Sequence, residues 1–138
     1  MALLLGAPSA LASGMGVTAR TTLAPPTVGR AAAKLSLRFL GTPYVWAGTT
    51  PAGFDCSGFT SYVYRLAGKS LPRTAEAQRA ASSKVSNPAP GDLIFFGYPA
   101  YHVGIYAGGG MMYDSPRTGK TTGLHAIWTQ SGVSYGRF

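Results

Sequence analysis

A single cysteine, Cys56, is present among the 138 residues, and it lies at the predicted start of a helix. The segment GFDCSGFTSYVYRLAG over residues 53–68 has apolar residues at helical spacing, with Asp55 as a good N-cap and Gly68 as a good residue to follow the helix. Unpaired backbone N–H groups at a helix start favour a thiolate, which is the nucleophilic form of cysteine. Because the adjacent Asp55 opposes this effect, a nucleophilic Cys56 still needs a base.

The partners available to a cysteine nucleophile are few, since the chain has two histidines and four acidic residues. Such a nucleophile requires a general base and a third polar group that fixes the tautomer of the imidazole. His102 and Asp114 lie on either side of a glycine turn, 108–110, that is predicted to close a hairpin. A three-residue loop places Asp114 on the sheet face of His102, one diagonal step away, and a loop shifted back by one residue places it directly opposite. A two-residue loop would put the two side chains on opposite faces.

Each of these residues also has a simpler structural interpretation. Cys56 could be a buried core residue, His102 could be satisfied locally at the start of a strand, and Asp114 could form an Asx turn at the end of one. His125 could replace His102 or Asp114 or help to line the pocket, but no geometric argument supports it, so we rank it below His102 as the base.

Composition limits the partners and cofactors that we expect. Twelve lysines and arginines against four acidic residues give a formal net charge of +8, which favours nucleic acid, acidic lipid or the anionic polymers of a bacterial cell wall. The basic residues are scattered singly and no nucleic-acid-binding motif is present, so we expect no nucleic-acid partner. One cysteine excludes an internal disulfide, and with two histidines it excludes the usual structural zinc site. We expect no metal and no organic cofactor.

The chain divides into three regions. Residues 1–12, MALLLGAPSALA, resemble the apolar part and cleavage site of a secretory signal peptide, but the basic start is missing. We interpret them as a signal peptide that is truncated or has a misplaced start codon, the alternative being an unstructured apolar terminus; they are too short to span a bilayer. Residues 13–29 are rich in Gly, Thr, Ala and Pro and predict a linker. Residues 30–138 form one predicted domain.

Helices come first in this domain and strands follow. Apolar periodicity and capping residues predict helices over residues 30–40, around Cys56 and over 74–81. Apolar runs predict strands over 93–96, 102–107 and 111–114, with weaker evidence for a strand over 124–128. This order predicts an α+β domain in which helices pack on an antiparallel β-sheet.

Three linked blocks of sequence resemble the NlpC family of bacterial cell-wall cysteine peptidases. They are GTPYVWAGTTPAGFDCSGF, LPRTAEAQ and PGDLIFFGYPAYHVGIYAGGG, in the order expected across roughly residues 30–138. The resemblance implies a papain-like fold with Cys56 as nucleophile, His102 as base and Asp114 as the third polar residue. Family members commonly carry a second histidine at the last position, but aspartate can also orient an imidazole and stabilise its cation. Ala47 replaces a glycine of the usual Gly-Gly pair.

The same resemblance implies that Tyr44 lies near the thiol and that Asp55 and Ser57 bind substrate. In physical terms, Asp55 could bind a substrate ammonium group or act only as a helix N-cap, and the Tyr44 hydroxyl could donate to a developing oxyanion. We interpret a further block of matching residues as helix start and packing, and we expect a nearby aspartate to cap a turn: Arg73, Thr74, Gln78 and Asp92.

The function that we expect is that of a secreted or wall-associated peptidoglycan endopeptidase. By resemblance, its substrate is a stem peptide and the bond that it cleaves joins D-γ-glutamate to a diamino acid such as meso-diaminopimelate. Anionic wall polymers are a further expected partner, and we expect a monomer without a transmembrane segment. Alternatives are an N-acetylmuramoyl-L-alanine amidase or acyltransferase with the same triad, a toxin with the same chemistry, or an inactive wall-binding module. A binding module would need none of the three triad residues.

Overall fold

The structure of the protein is a computed structural model, and it describes residues 27–138. The predicted signal peptide over 1–12 and the linker up to residue 26 lie outside the described residues. The elements, in chain order, are α1 (Val28–Ser36), a 3-10 turn (Leu37–Phe39), β1 (Thr49–Thr50), β2 (Gly53–Phe54), α2 (Cys56–Leu66), α3 (Ala75–Ala81), β3 (Ser83–Val85), β4 (Leu93–Phe96), β5 (His102–Gly108), β6 (Met111–Asp114), β7 (Gly123–Ala126) and β8 (Val133–Arg137).

The helices precede a six-stranded sheet with the strand order β3-β8-β4-β5-β6-β7, in which every neighbouring pair is antiparallel. Helix α2 packs on α1 and on β5, near the middle of the sheet. The predicted α+β class with helices on an antiparallel sheet is confirmed. No helix within residues 27–138 has the length and apolar character needed to cross a membrane.

The helices begin where their capping residues predict. Asp55 caps α2 by accepting a 2.6 Å hydrogen bond from the N–H of Gly58, and Gly68 follows the helix at a φ of 105° that favours glycine. Thr74 caps α3 in the same way. Helix α1 begins at Val28, two residues earlier than predicted, and the last part of the predicted helix forms the 3-10 turn.

The structure contains strands that the sequence did not predict. Strand β8 lies between β3 and β4, so both of its partners are distant along the chain. The two-residue strands β1 and β2 form a small hairpin just before α2. The predicted strand over 124–128 is present as Gly123–Ala126, and it pairs with β6 at one edge of the sheet.

The hairpin between β5 and β6 sets the geometry of the site. It closes with the two-residue loop Gly109-Gly110, which taken alone would place Asp114 on the opposite face from His102. A β-bulge at Ala107 adds one residue to β5 and shifts the register back. Continued along the strands, this register places Asp114 opposite Gly104. The bulge therefore restores the shared face that we had expected from a three-residue loop.

The core between α2 and the sheet holds the start of α2 in place. Phe54, Phe59 and Val63 are completely buried against β4 and β5, and each such side chain contributes about 1.5–3 kcal/mol by leaving water. Tyr64 is also buried, and its hydroxyl donates a 2.5 Å hydrogen bond to the carbonyl of Gly91, just before β4. These contacts fix the position of Cys56 relative to His102.

Candidate active site

Cys56 is the first residue of α2, and it is half-buried. The turn of α2 that follows it lies against the loop before β1, where a Cβ on Gly58 would overlap the carbonyl of Gly48. The Asp55 side chain accepts from Gly58 and its carbonyl accepts from Phe59, so the N–H of Cys56 has no partner within the helix. The thiol and a backbone donor therefore lie together at the start of α2.

His102 and Asp114 are both buried and lie in contact. His102 is 6% exposed and Asp114 is inaccessible to solvent, and 2.7 Å separates Nε2 of His102 from Oδ2 of Asp114. Because Nε2 faces Asp114, Nδ1 is the ring nitrogen that remains for Cys56. The predicted trio of Cys56, His102 and Asp114 is thus brought together, with His102 in the middle.

The electrostatics of His102 reflect both of its neighbours. Burial disfavours the cationic ring, but hydrogen bonding with Asp114 and Cys56 and the attraction of their negative charges outweigh burial and raise the pKa of His102 to about 9. His102 therefore carries a proton at neutral pH, which is the state required for donation to a leaving group.

An aromatic wall lies beside the imidazole of His102. Trp128 stacks on Phe96 with ring centroids 4.2 Å apart and an interplanar angle of 8°, and its ring centroid lies 5.6 Å from that of His102. Trp128 is 56% exposed, so one face of the wall is open to a ligand.

His125 is the main site feature that the sequence did not place. Its Nδ1 lies 2.5 Å from Oδ1 of Asp114, so the two carboxylate oxygens each contact a different imidazole. His125 lies on β7 opposite Met112, and Gly123 on the same strand lies opposite Asp114. A Cβ on Gly123 would come within 3.0 Å of the His125 ring, so the absence of a side chain at Gly123 leaves the space that this ring occupies. Only the register of the weakly predicted strand could have revealed the contact.

Tyr44 lies close enough to Cys56 for the charge of the sulfur to act on its hydroxyl, and Asp55 and Ser57 flank Cys56 in the chain. Burial, followed by the negative charges of Cys56 and Asp55, raises the pKa of Tyr44, although Arg73 partly opposes these effects. The Tyr44 hydroxyl is therefore protonated at neutral pH and can donate a hydrogen bond.

Arg73 has a larger part in the site than the helix start that we assigned to it. Its guanidinium forms a 2.6 Å ion pair with Asp55 and donates a 2.9 Å hydrogen bond to the Ser57 hydroxyl. The hydrogen bond with Asp55 raises the pKa of Arg73. The charge on Asp55 is thus compensated within the protein, and Arg73 joins the segment before α3 to the start of α2.

The remaining interpretations of polar residues agree with the structure. Thr74 caps α3, buried Gln78 donates to the carbonyls of Ser57 and Pro72, and Asp92 accepts from the N–H of Ala89 in a turn. Ala47, at the position of the usual glycine, has a φ of 59°. This left-handed conformation costs a non-glycine residue roughly 1–2 kcal/mol.

Two bacterial proteins are similar to this chain in sequence. Over 106 residues, 72% of this chain, it is 47% identical to the "Probable endopeptidase p60" of Listeria seeligeri, of which it covers 20%. Over 90 residues, 60% of this chain, it is 46% identical to the "Gamma-D-glutamyl-L-lysine dipeptidyl-peptidase" of Bacillus subtilis, of which it covers 30%. The chain thus spans about a fifth to a third of the length of these relatives.

Solved structures also match this fold over most of the chain. The NlpC/p60 domain of the peptidoglycan hydrolase SagA superposes with a TM-score of 0.73 at 36% identity, covering 80% of this chain and 98% of that one. RipD from Mycobacterium tuberculosis, described as a non-catalytic NlpC/p60 domain protein, superposes with a TM-score of 0.70 at 27% identity, covering 82% and 98%. The sequence profile of the NlpC/P60 family itself matches residues 41–135. The chain, with its papain-like arrangement of a helix-start cysteine facing a sheet-borne histidine, belongs to the NlpC/P60 family.

Proposed function

We propose that this protein is a peptidoglycan endopeptidase, and that it cleaves the amide bond between D-γ-glutamate and a diamino acid in wall stem peptides. The observation that carries the proposal is the position of His102 between Cys56 and Asp114, with Nε2 2.7 Å from the carboxylate. Relatives named endopeptidase and gamma-D-glutamyl-L-lysine dipeptidyl-peptidase support the reaction and the choice of bond.

The first half of the reaction is acyl transfer to Cys56. At neutral pH His102 already holds the proton that it has taken from the thiol, and the Cys56 sulfur attacks the γ-carbonyl carbon of the glutamyl residue. A tetrahedral oxyanion forms and collapses, which breaks the bond from carbon to nitrogen. His102 gives its proton to the departing amine of the diamino acid, and the glutamyl residue remains on Cys56 as a thioester.

The second half restores the enzyme. His102 accepts a proton from water, the hydroxide attacks the thioester carbonyl, and collapse releases the glutamyl carboxylate and the Cys56 sulfur. Asp114 keeps the imidazole in one tautomer throughout, because its Oδ2 holds the proton on Nε2 and leaves Nδ1 for the exchange with Cys56 and substrate.

Two groups are positioned to stabilise the oxyanion. The N–H of Cys56 is without an intrahelical partner and lies at the positive end of α2. The Tyr44 hydroxyl is the second donor, and its raised pKa keeps it protonated.

Substrate binding on the acyl side falls to Asp55 and Ser57. In this role, Asp55 attracts the free ammonium group of a peptide and Ser57 donates or accepts a hydrogen bond. Arg73 contacts both side chains and holds them in one orientation, although its charge weakens the attraction of Asp55 for a cation.

His125 is a positioning residue for Asp114 in this scheme. A buried carboxylate with one unsatisfied oxygen would be unfavourable, and Nδ1 of His125 satisfies the oxygen that His102 does not contact. The carboxylate is thereby held on both sides in the plane that His102 needs.

A place of action outside the cytoplasm fits both substrate and charge. Peptidoglycan stem peptides lie in the wall, and the formal net charge of +8 favours attraction to anionic wall polymers. The apolar sequence of residues 1–12 supports secretion.

Product analysis tests the proposal and separates it from its alternatives. The full chain is incubated with L-alanyl-D-γ-glutamyl-meso-diaminopimelyl-D-alanine, which has the free ammonium group, and separately with its N-acetylmuramoyl form, and the products are identified by mass spectrometry. We expect diaminopimelyl-D-alanine and the glutamyl-ended remainder. Release of the intact tetrapeptide would show an amidase instead, and a glutamyl product joined to an added amine would show an acyltransferase. Sedimentation with intact wall and no cleavage would indicate a binding module.

A further inference from the structure

A groove leads from His102 to His125, beside strands β6 and β7 at the β7 edge of the sheet. It consists of two neighbouring hollows of about 320 and 310 Å³ that share Pro116, Arg117 and Trp128 as walls. His102 lines the first hollow, and Lys120 and His125 line the second. The groove therefore combines an apolar wall with two cationic side chains next to the catalytic base.

The two cations in the groove have no acidic partner in the protein. The chain has only four acidic residues. Three of them form ion pairs with arginines elsewhere, and both oxygens of the fourth, Asp114, are held by histidines. Within residues 27–138, the positive charges of Arg117 and Lys120 are thus uncompensated. The Asp114 carboxylate also lines the second hollow, but histidines hold both of its oxygens, so Arg117 and Lys120 are the charges in the groove that are left to attract an anionic group.

The turn that carries these cations is tied to the rest of the site. The N–H of Lys120 donates to the carbonyl of Arg117 at 3.0 Å, and the carbonyl of Lys120 accepts from the N–H of Tyr44 at 2.9 Å. The N–H of Thr122 donates a further hydrogen bond of 2.7 Å to the carbonyl of Thr42. Arg117 and Lys120 are therefore presented from a fixed backbone, even though their side chains are exposed.

The position of the groove relates it to one half of the substrate. His102 gives its proton to the departing amine under the proposed mechanism, so the residue that carries this amine must lie next to the His102 ring. The first hollow begins at that ring. The groove is therefore on the side of the segment that is released with the amine, whereas Asp55 and Ser57 lie on the acyl side.

We propose that this groove is a subsite for a carboxylate on the released segment, and that Arg117 and Lys120 bind it. The inference rests on the proposed function and extends it to the class of wall substrate. A diaminopimelate residue carries a side-chain carboxylate, and its methylene groups can lie against Trp128. Diaminopimelate has an ammonium group on the same carbon as this carboxylate, whereas a lysine residue ends in an ammonium group and offers no carboxylate for Arg117 and Lys120 to bind. The subsite thus selects stem peptides whose diamino acid carries a side-chain carboxylate.

The test compares matched tetrapeptides with the full chain. The peptides are L-alanyl-D-γ-glutamyl-meso-diaminopimelyl-D-alanine, the same peptide amidated at the diaminopimelate side chain, the same peptide amidated at its C-terminus, and the lysine peptide. We expect amidation of the side chain to lower kcat/KM about tenfold, as loss of one charge-assisted contact would. A larger effect from C-terminal amidation would assign the bound carboxylate to the end of the peptide.

Variants show whether the groove causes the selectivity. In Arg117→Gln, the ratio of kcat/KM between the acidic and the side-chain-amidated peptide should fall toward one. Lys84→Gln removes the same charge from β3, at the opposite edge of the sheet, and should leave the ratio unchanged. Equal cleavage of all four peptides by the unmodified protein would overturn the subsite while the endopeptidase stands. Cleavage of none would overturn the proposed function and the subsite with it.

Discussion

Asp114 lies opposite Gly104 on neighbouring strands, and the absence of a side chain at Gly104 leaves the space that the carboxylate occupies. A Cβ added to Gly104 would lie 3.2 Å from the Cβ of Asp114 and 3.1 Å from the sulfur of Met112. Gly123 pairs with Asp114 on the other side, where an added Cβ would meet the His125 ring. The carboxylate is therefore flanked by two glycines, and an imidazole reaches it diagonally from each neighbouring strand.

Substitution of Gly104 should impair catalysis by moving Asp114. In Gly104→Ala, we expect the unfolding free energy to fall by about 1–3 kcal/mol, because a methyl group is forced into a packed site. We expect kcat to fall further than stability explains at a temperature where the variant is fully folded. Denaturant unfolding and peptide cleavage measured on the same sample test this, and unchanged kcat in a folded variant would contradict it.

The pH dependence should report the state of His102. Because the pKa of His102 is raised to about 9, kcat/KM should decline as the pH rises through about 9 and the ring loses its proton. Asp114→Asn removes the negative partner and should move this decline to lower pH by about one unit. A pH profile of both proteins tests the prediction, and an alkaline limb that stays in place would show that Asp114 does not act on His102.

The free energy of unfolding should also depend on the protonation of His102. A raised pKa means that the folded state binds the proton more tightly than the unfolded state, whose pKa is near 6.5. The stabilisation is fully present below about pH 6.5 and is lost as the pH rises through about 9. Urea unfolding between pH 6 and 10 should show this loss, and His102→Gln should flatten it. The same slope in both proteins would assign it to another group.

His125 should matter through the hydrogen bond to Asp114. In His125→Leu, kcat should fall by about tenfold, the equivalent of one hydrogen bond to a charged group, with KM little changed. His125→Asn places an amide N–H near the position of Nδ1 and should recover most of the loss. A purely steric role predicts the reverse order, because leucine fills the space better than asparagine. Steady-state kinetics of the two variants distinguish these outcomes.

Asp55 combines a structural and a binding role that two substitutions should separate. Asp55→Ala loses the N-cap of α2 and should lower the unfolding free energy by about 1 kcal/mol, whereas asparagine also caps helices and should lower it much less. The ion pair with Arg73 adds little, since the arginine is partly exposed. Both substitutions should raise KM for peptides with a free amino terminus. Unchanged KM in Asp55→Asn would leave capping as the only role.

Local signals explain why much of the fold and part of the site could be predicted. A capping residue followed by helical spacing predicted α2 with Cys56 in its first turn, and continuous apolar runs predicted β4 and β5. The family resemblance was carried by blocks within these same elements, and it is confirmed by the match over residues 41–135.

Features that depend on contacts between distant parts of the sequence could not be predicted from these local signals. Three glycines in a row can adopt several loops, and the bulge at Ala107 that fixes the register has no side-chain signature. The contact of His125 required the pairing of β7, and Arg73 reaches a partner 18 residues away across the start of α2. Strand β8 lies between two strands that precede it by many residues.

The most direct test of the central claim is kcat/KM of Cys56→Ala on the free tetrapeptide L-alanyl-D-γ-glutamyl-meso-diaminopimelyl-D-alanine, measured beside the unmodified protein. Without the sulfur no thioester can form, so we expect a loss of at least about 10⁴-fold, as for removal of a member of a nucleophile-base pair. Thermal unfolding of Cys56→Ala should confirm that it is folded. Cleavage at the same bond within tenfold of the unmodified rate would show that Cys56 is not the nucleophile and would contradict the account.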